Sequence, residues 1–301
     1  MKGVAKMKKG LIYIILTAIL FTTLEPVSKL ISTEISPVRI TFIRFFIGSL
    51  MLLPFSIAQI KKENIKINTK DIYTMSFLGI LCICVSMILL QYAVLKAESP
   101  ALIAIIFSSN SVFTIIFAAF ILKDEITWAK LCAIALCLAG LLVSTDFKLS
   151  ENMLSVVLAI LAALAFSLYT VLSKKFMTKV SGIIQTGFSF FIGSLVLLIA
   201  LLIGGTDIFG GITSSNIWEL LYLGVAVTGI GYWSYFRAMD KASAMSASFV
   251  FFIKPALTPL ATFVINGIVP DIKVFISLVL VITGSYMATV KTQPKNNLTK
   301  A

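Results

Sequence analysis

The sequence contains one six-residue stretch twice, as Phe45-Phe46-Ile47-Gly48-Ser49-Leu50 and as Phe190-Phe191-Ile192-Gly193-Ser194-Leu195, with an offset of 145 residues. Further identities lie on both sides at the same offset. They pair Ser28-Lys29 with Ser173-Lys174, Leu78-Gly79 with Leu223-Gly224, and Lys96-Ala97 with Lys241-Ala242. Six consecutive identities with outlying matches at one offset are hard to obtain by chance, even in an apolar chain. We therefore interpret residues 1–148 and 149–301 as two copies of one unit.

The composition indicates that this unit lies in a membrane. Apolar residues make up 59% of the 301-residue chain, charged residues 13%, and the mean hydropathy is +1.03. A soluble domain of this size would have to expose much of that apolar surface to water. Because a helix needs about 20 apolar residues to cross a bilayer, we predict an all-α membrane protein with ten transmembrane helices. The predicted spans are 10–31, 38–60, 72–95, 100–122, 127–145, 153–173, 182–203, 217–237, 244–265 and 272–290.

The basic residues predict the orientation of these helices. With the amino terminus in the cytoplasm, 18 of the 25 Lys and Arg residues lie at cytoplasmic ends and five at outer ends. Such a bias favours a multi-pass protein of the cell (plasma) membrane with both termini cytoplasmic. The net charge of +12 is then explained by topology, and no nucleic acid is expected as a partner.

Each copy holds five predicted helices. Because five is odd, the second copy enters the membrane from the opposite side, which makes an inverted repeat. Inverted repeats are typical of secondary transporters, whose substrate site lies near the midplane between the two halves.

Three local motifs accompany the duplication. They are Glu25-Pro26-Val27-Ser28-Lys29 followed by Pro37 and Arg44, then Leu122-Lys123-Asp124-Glu125, then Lys254-Pro255. With these motifs and its length, the chain resembles the EamA family of the drug/metabolite transporter superfamily over its whole membrane region. The resemblance implies two EamA-like five-helix repeats and export of amino acids or related amphiphilic metabolites. The sequence departs from the family where Pro270 stands at the position equivalent to Glu125.

Charged side chains inside spans usually face a cavity or a partner. Glu25 and Lys29 are four residues apart on one helix face, and Arg44 on the next span lies at a similar depth to Glu25. We expect a cluster of these three residues that acts in gating or proton coupling, with Glu25 as the proton carrier. The alternative is a structural ion pair, with Lys29 extending its side chain to the interface.

Lys254 is predicted near mid-membrane, with no in-span carboxylate evident nearby in sequence. Its equivalent in the first copy is Ser109, and Asn110 is equivalent to Pro255. Polar or broken helices at one symmetry-related depth favour a central substrate site that includes Lys254, Ser109 and Asn110. The alternative is that Lys254 bonds to backbone carbonyls and that Asn110 links helices.

Tyr169, Tyr232 and Gln91 complete the predicted substrate site, because their side chains offer polar groups within apolar spans. We expect a secondary active transporter that exports a small metabolite by alternating access. A flippase of a lipid-linked substrate remains open, and a membrane-embedded enzyme is a weaker alternative.

The expected partners are a small-molecule substrate, the lipid bilayer and a proton or ion gradient, and a homodimer is left open. No cofactor is expected, because no glycine-rich phosphate cradle stands between a strand and a helix. The chain has no His, which excludes His-based metal sites and Ser-His-Asp catalysis. No catalytic residues are therefore predicted.

Overall fold

The computed structural model describes residues 2–123, 152–176, 180–241 and 250–290, with eight further positions between 128 and 143. All regular structure in these residues is helical. The first half contains α1 (Lys2–Thr22), α2 (Leu24–Ile31), α3 (Pro37–Glu63), α4 (Thr69–Gly79), a π-helical segment (Ile80–Met87), α5 (Ile88–Lys96), α6 (Pro100–Ser108) and α7 (Asn110–Ile121). The second half contains α8 (Met153–Phe176), α9 (Gly182–Ile203), α10 (Ile217–Leu221), a π-helical segment (Tyr222–Ile230), α11 (Gly231–Lys241), α12 (Val250–Asn266) and α13 (Ile272–Val290).

Six helical stretches of the described chain are long and apolar enough to cross a membrane. They are Ile12–Ile31, Pro37–Glu63, Thr69–Lys96, Pro100–Ile121, Met153–Phe176 and Gly182–Ile203, and shorter apolar helices cover Leu257–Asn266 and Ile272–Gly284. The protein is therefore an integral membrane protein. Most positions of the predicted span 127–145, residues 124 and 125 of the second motif, the first part of span 244–265 and the repeat boundary at 148 lie outside the described residues. The total of ten spans stays a prediction.

Local sequence explains where several helices begin or break. Ser36 caps α3 by accepting a hydrogen bond from the backbone N–H of Arg39, and Pro37 occupies the first helical position, which suits its fixed φ and missing N–H. The start of α4 is a capping box, in which Asn68 and Asp71 each accept from the other's backbone N–H. The helix also breaks at Thr23, three residues before Pro26, which cannot donate to the carbonyl four residues earlier.

The two halves pack through symmetry-related contacts. Phe45 lies edge-on to Phe190 at 4.8 Å between ring centroids, and Phe46 stacks with Phe191 at 6.3 Å. In both pairs the two residues are separated by 145 positions, so each position contacts its own repeat equivalent. An interface of this kind is isologous and lies at a twofold or pseudo-twofold axis.

Contacts away from the axis also occur in symmetry-related pairs. Thr17 donates to the carbonyl of Gly231 at 3.5 Å, and Ser86 donates to the carbonyl of Ala162 at 2.9 Å. Position 162 is the repeat equivalent of 17, and position 231 is the equivalent of 86. The same two positions of the repeat therefore meet twice, on opposite sides of the axis.

Glycines permit the closest of these approaches. A Cβ on Gly193 would lie 2.7 Å from the carbonyl oxygen of Gly79, and a Cβ on Gly48 would lie 3.3 Å from that of Gly224. Gly48 and Gly79 are the repeat equivalents of Gly193 and Gly224. The repeated six-residue stretch thus lies where α3 crosses the helical segment that contains Gly224 and where α9 crosses α4 at Gly79. Small residues let the backbones pack directly at both crossings.

Candidate functional site

Glu25 and Lys254 form an ion pair between the two halves. The Nζ atom of Lys254 in α12 donates to Oε1 of Glu25 in α2 at 2.6 Å, and the side chains are 5% and 0% exposed. Isolated charges at this depth would carry a large desolvation penalty, which a direct hydrogen-bonded pair offsets in part. The second oxygen, Oε2 of Glu25, is buried without a hydrogen-bond partner in the described residues.

This pair corrects the predicted partners of both residues. Lys29 does not pair with Glu25. Its Nζ donates to the carbonyls of Val94 at 3.3 Å, Leu95 at 3.1 Å and Ala97. These are the last carbonyls of α5, which have no partners within their helix and favour a cation. Lys29 is therefore placed as a link between α2 and α5.

Arg44, the third member of the predicted cluster, lies beside the pair. The residue is 2% exposed, and its guanidinium lies 4.5 Å from the ring centroid of Phe45. Glu25 and Tyr232 both lie within electrostatic range of the guanidinium. Within the described chain no hydrogen bond or ion pair reaches the guanidinium, and Nε is buried without a partner.

Ser109 and Asn110 stand at a break between α6 and α7. The amide of Asn110 donates to the carbonyl of Phe107 at 2.9 Å, and the Asn110 carbonyl accepts from Ser167 at 2.7 Å. The hydroxyl of Ser109 is buried and has no partner among the described residues. The ring of Phe107 faces Lys254, with Nζ 5.5 Å from its centroid. The structure therefore places the break close to Lys254, through Phe107.

Gln91 joins the same region from α5. Its Nε2 donates to the hydroxyl of Ser28, one helical turn after Glu25, at 3.1 Å. Its Oε1 is buried and finds no partner in the part of the chain that is described. Gln91 thus offers a free acceptor near α2.

The two predicted tyrosines lie in an aromatic cluster. Tyr232 packs against Phe21 at 5.0 Å and Phe190 at 4.8 Å, and it is the tyrosine near Arg44. Tyr169 is buried and packs against Phe166 at 5.7 Å between ring centroids. Of the two, Tyr232 is the one that the structure places beside the charged cluster.

Sequence reasoning missed Phe107, which covers Lys254, and Asn266, which donates to the carbonyl of Pro26 at 3.2 Å. It also missed the pairing of Lys254, although the sequence holds a signal for it. Glu25 is the acidic residue that lies more than one turn inside a predicted span. It is therefore the natural partner for any buried cation, including one in the other half.

Comparison with known proteins also finds two repeats. The model of the EamA-like transporter family matches residues 8–145 and again residues 153–290. The two matched ranges are offset by 145 residues, the same offset as the repeated stretch.

Individual relatives support the match. An uncharacterised transporter of Clostridium kluyveri is 37% identical over 303 residues, covering 98% of this chain and 97% of its own length. An S-adenosylmethionine uptake transporter of Rickettsia conorii is 25% identical over 189 residues, or 63% of each chain. A solved crystal structure matches with a TM-score of 0.66 at 17% identity, covering 96% of this chain and 97% of the other, and this likeness concerns the fold alone. The chain belongs to the EamA-like transporter family and is an integral membrane transporter.

Proposed function

We propose that the protein is a secondary active transporter that exports a small metabolite, such as an amino acid or related amphiphilic compound, by alternating access. The observation that carries the proposal is the buried ion pair between Glu25 and Lys254. It joins one helix of each half beside polar groups that have no partners among the described residues, which is the chemistry expected of a central transport site.

Coupling to a proton gradient follows from the same pair. Protonation of Glu25 removes the charge that holds Lys254, so that α2 and α12 can separate. The chain has no His, and among the described residues Glu25 is the acidic group that is buried between the halves. In this proposal, proton binding and substrate binding at Glu25 alternate during the cycle.

Polar contacts between the halves support a state closed at the predicted outer end. Asn216, before α10, donates to the carboxylate of Glu34 and to the carbonyl of Gly211. Arg39 donates to the carbonyl of Gly210. The contacts of Asn216 with Glu34 and of Arg39 with Gly210 tie the segment before α10 to the α2–α3 connection and to the start of α3. Both contacts must open for substrate to leave.

The predicted cytoplasmic end holds a larger cavity than the one of about 170 Å³ that Ser99 and Val274 line at the predicted outer end. A cavity of about 430 Å³ lies there between the halves, lined by Phe55, Ala58, Gln59, Lys62, Glu63, Ile183 and Arg237. Together with the outer contacts, the cavity supports a conformation that accepts substrate from the cytoplasm.

A reporter domain fused after Ala301 tests this orientation, because a cytoplasmic signal is expected and an external signal would reverse it.

A metabolite profile of the growth medium tests the function. Cells that overproduce the protein should accumulate at least one small metabolite outside, and deletion cells should retain it. Because the Rickettsia conorii relative is named for uptake, the direction of the change is itself a result. Unchanged profiles in both strains would refute export, and depletion from the medium would establish import.

A further inference from the structure

A separate cavity of about 180 Å³ lies between the two halves at the predicted cytoplasmic end. Its polar lining comes from both halves. Lys70 and Asp71 belong to α4, Lys175 belongs to α8, and Gln185 belongs to α9. This cavity shares no lining residue with the larger one beside Arg237, so the proposed transport cycle assigns it no role.

Gln185 brings a buried hydrogen-bond donor to this cavity. The residue is 3% exposed, and its Nε2 atom is buried without a hydrogen-bond partner among the described residues. A buried donor that lacks an acceptor keeps the full cost of losing its water. An acceptor inside the cavity, such as a phosphate oxygen, would remove that cost.

The charged side chains of the lining favour an anion. Lys70 and Lys175 are exposed cations from opposite halves, and within the part of the chain that is described neither has a salt-bridge partner. Asp71 carries a negative charge at the same cavity, and its Oδ2 accepts a hydrogen bond from the backbone N–H of Asn68 at 3.0 Å. The described lining therefore carries two positive charges against one negative charge.

Exposed apolar side chains lie next to this polar lining. Phe176 lines the cavity and is exposed, and α4, which forms part of the cavity wall, exposes Tyr73 and Phe77. In a membrane protein, exposed aromatic rings near the end of a span contact lipid at the interface. A ligand with a negative head and an apolar tail fits this combination, whereas a free phosphate ion fits the polar lining alone.

We propose that this cavity binds the headgroup of an anionic phospholipid, with the phosphodiester held by Lys70, Lys175 and Gln185. Basic pockets between membrane helices on the cytoplasmic side are known to bind such headgroups. A phosphodiester carries one negative charge, which matches the excess positive charge of the described lining. Because its ligands come from both halves, the bound lipid links α4 to α8 and α9 and should stabilise the folded protein.

The test uses the purified, delipidated full-length protein in detergent. Native mass spectrometry measures the binding of phosphatidylglycerol, of phosphatidylcholine with the same acyl chains, and of glycerophosphoglycerol, the soluble headgroup alone. Phosphatidylglycerol should bind about tenfold more tightly than phosphatidylcholine and should raise the midpoint of thermal unfolding, and the soluble headgroup should do neither. Equal binding of the two lipids would overturn the proposal. Equal effects of the soluble headgroup and phosphatidylglycerol would show a phosphate site in place of a lipid site.

Variants separate this cavity from a general attraction between lipid and a basic surface. The double variant Lys70→Gln/Lys175→Gln should bind phosphatidylglycerol about tenfold more weakly than the wild type. The double variant Lys61→Gln/Lys66→Gln removes two charges from exposed positions that do not line the cavity and should retain wild-type binding. Equal losses in both double variants, or no loss in the first, would overturn the proposal.

Gln185→Glu tests the buried donor, because it places a carboxylate where the phosphodiester needs an N–H group. This variant should lose the preference for phosphatidylglycerol, and an unchanged preference would contradict the role of Gln185. The lysine variants lie at exposed positions, so the test does not depend on the folding of Gln185→Glu. Binding is measured without transport, and the result is therefore independent of the proposed function.

Discussion

Lys254 and Glu25 meet at 2.6 Å between the two halves, whereas the positions related to them by the repeat, Ser109 and Thr170, carry hydroxyl groups. Thr170 donates within its own helix to the carbonyl of Phe166 at 2.9 Å, and Ser109 has no partner in the described chain. These two positions of the repeat therefore form a charged contact on one side of the pseudo-twofold axis and carry uncharged hydroxyl groups on the other. Packing is duplicated, and the charges at this contact are not.

The ion pair makes a prediction for stability. Removing one member of a buried pair leaves a charge without compensation and typically costs about 3–5 kcal/mol, whereas replacing both by neutral groups costs far less. We expect Glu25→Gln and Lys254→Met each to lower the midpoint of thermal aggregation in detergent, and the double variant to recover most of the loss. Simple addition of the two losses in the double variant would contradict a direct pair.

A second prediction concerns the dependence of transport on pH. Glu25→Gln is neutral at every pH, so it cannot alternate between charged and protonated forms. Substrate flux driven by a pH gradient across proteoliposomes should therefore disappear, while substrate exchange without a gradient persists at a reduced rate. Glu98→Gln, which removes an exposed carboxylate outside the cavity that Arg237 lines, serves as the control and should keep the gradient dependence. Gradient-driven flux through Glu25→Gln at the wild-type rate would refute proton coupling at this residue.

The close approach of Gly193 to Gly79 predicts that an added methyl group is destabilising at Gly193 and not at a glycine outside this crossing. Gly193→Ala places a methyl group 2.7 Å from the backbone carbonyl of Gly79, which forces the two helices apart and should cost about 1–3 kcal/mol. Gly204→Ala, directly after the same helix, meets local atoms only, the carbonyl oxygen of Ala200 at 3.3 Å and the hydroxyl of Thr206 at 3.6 Å among them, and is the matched control. Melting temperatures of the purified variants measure the difference. Equal melting temperatures for both variants would show that the crossing is looser than described.

The contact between Glu34 and Asn216 predicts that a cross-link between these two positions blocks transport. In a background without the native cysteines, Glu34→Cys and Asn216→Cys should be joined by a short bifunctional thiol reagent that reduction cleaves. Cross-linking should stop transport, because the contact must open in each cycle, and reduction should restore it. The single-cysteine variants control for the reagent. Full transport by the cross-linked protein would show that this end does not open.

The repeat could be predicted from the sequence, because identities at one offset reflect a shared backbone. The crossing glycines lie within those identities. The breaks near Pro26 and at Ser109 were also visible, as a residue without an N–H and as a run of polar residues in an apolar span. The two π-helical segments were not predicted. The first directly follows Gly79 and the second contains Gly224. Both glycines pack closely against the opposite half, and neither segment has a local sequence pattern that indicates a π-helix.

The charged site could be predicted only in part. Glu25, Arg44 and Lys254 stand out because charge is rare inside spans. Which cation pairs with the carboxylate of Glu25 depends on how α2 and α12 meet across the pseudo-twofold axis. Sequence distance favoured Lys29, four residues away on the same helix. The carbonyls at the end of α5 satisfy Lys29 instead, and neither the repeat offset nor helical spacing could indicate this.

Transport by Lys254→Ala in proteoliposomes tests the central claim most directly, because Lys254 joins the two halves at the proposed site. Lys66→Ala, which makes the same chemical change at an exposed loop position, is the control. We predict that Lys254→Ala, reconstituted in the same amount of folded protein as the wild type, moves substrate no faster than protein-free vesicles, while Lys66→Ala matches the wild type. Wild-type flux through Lys254→Ala would contradict the account.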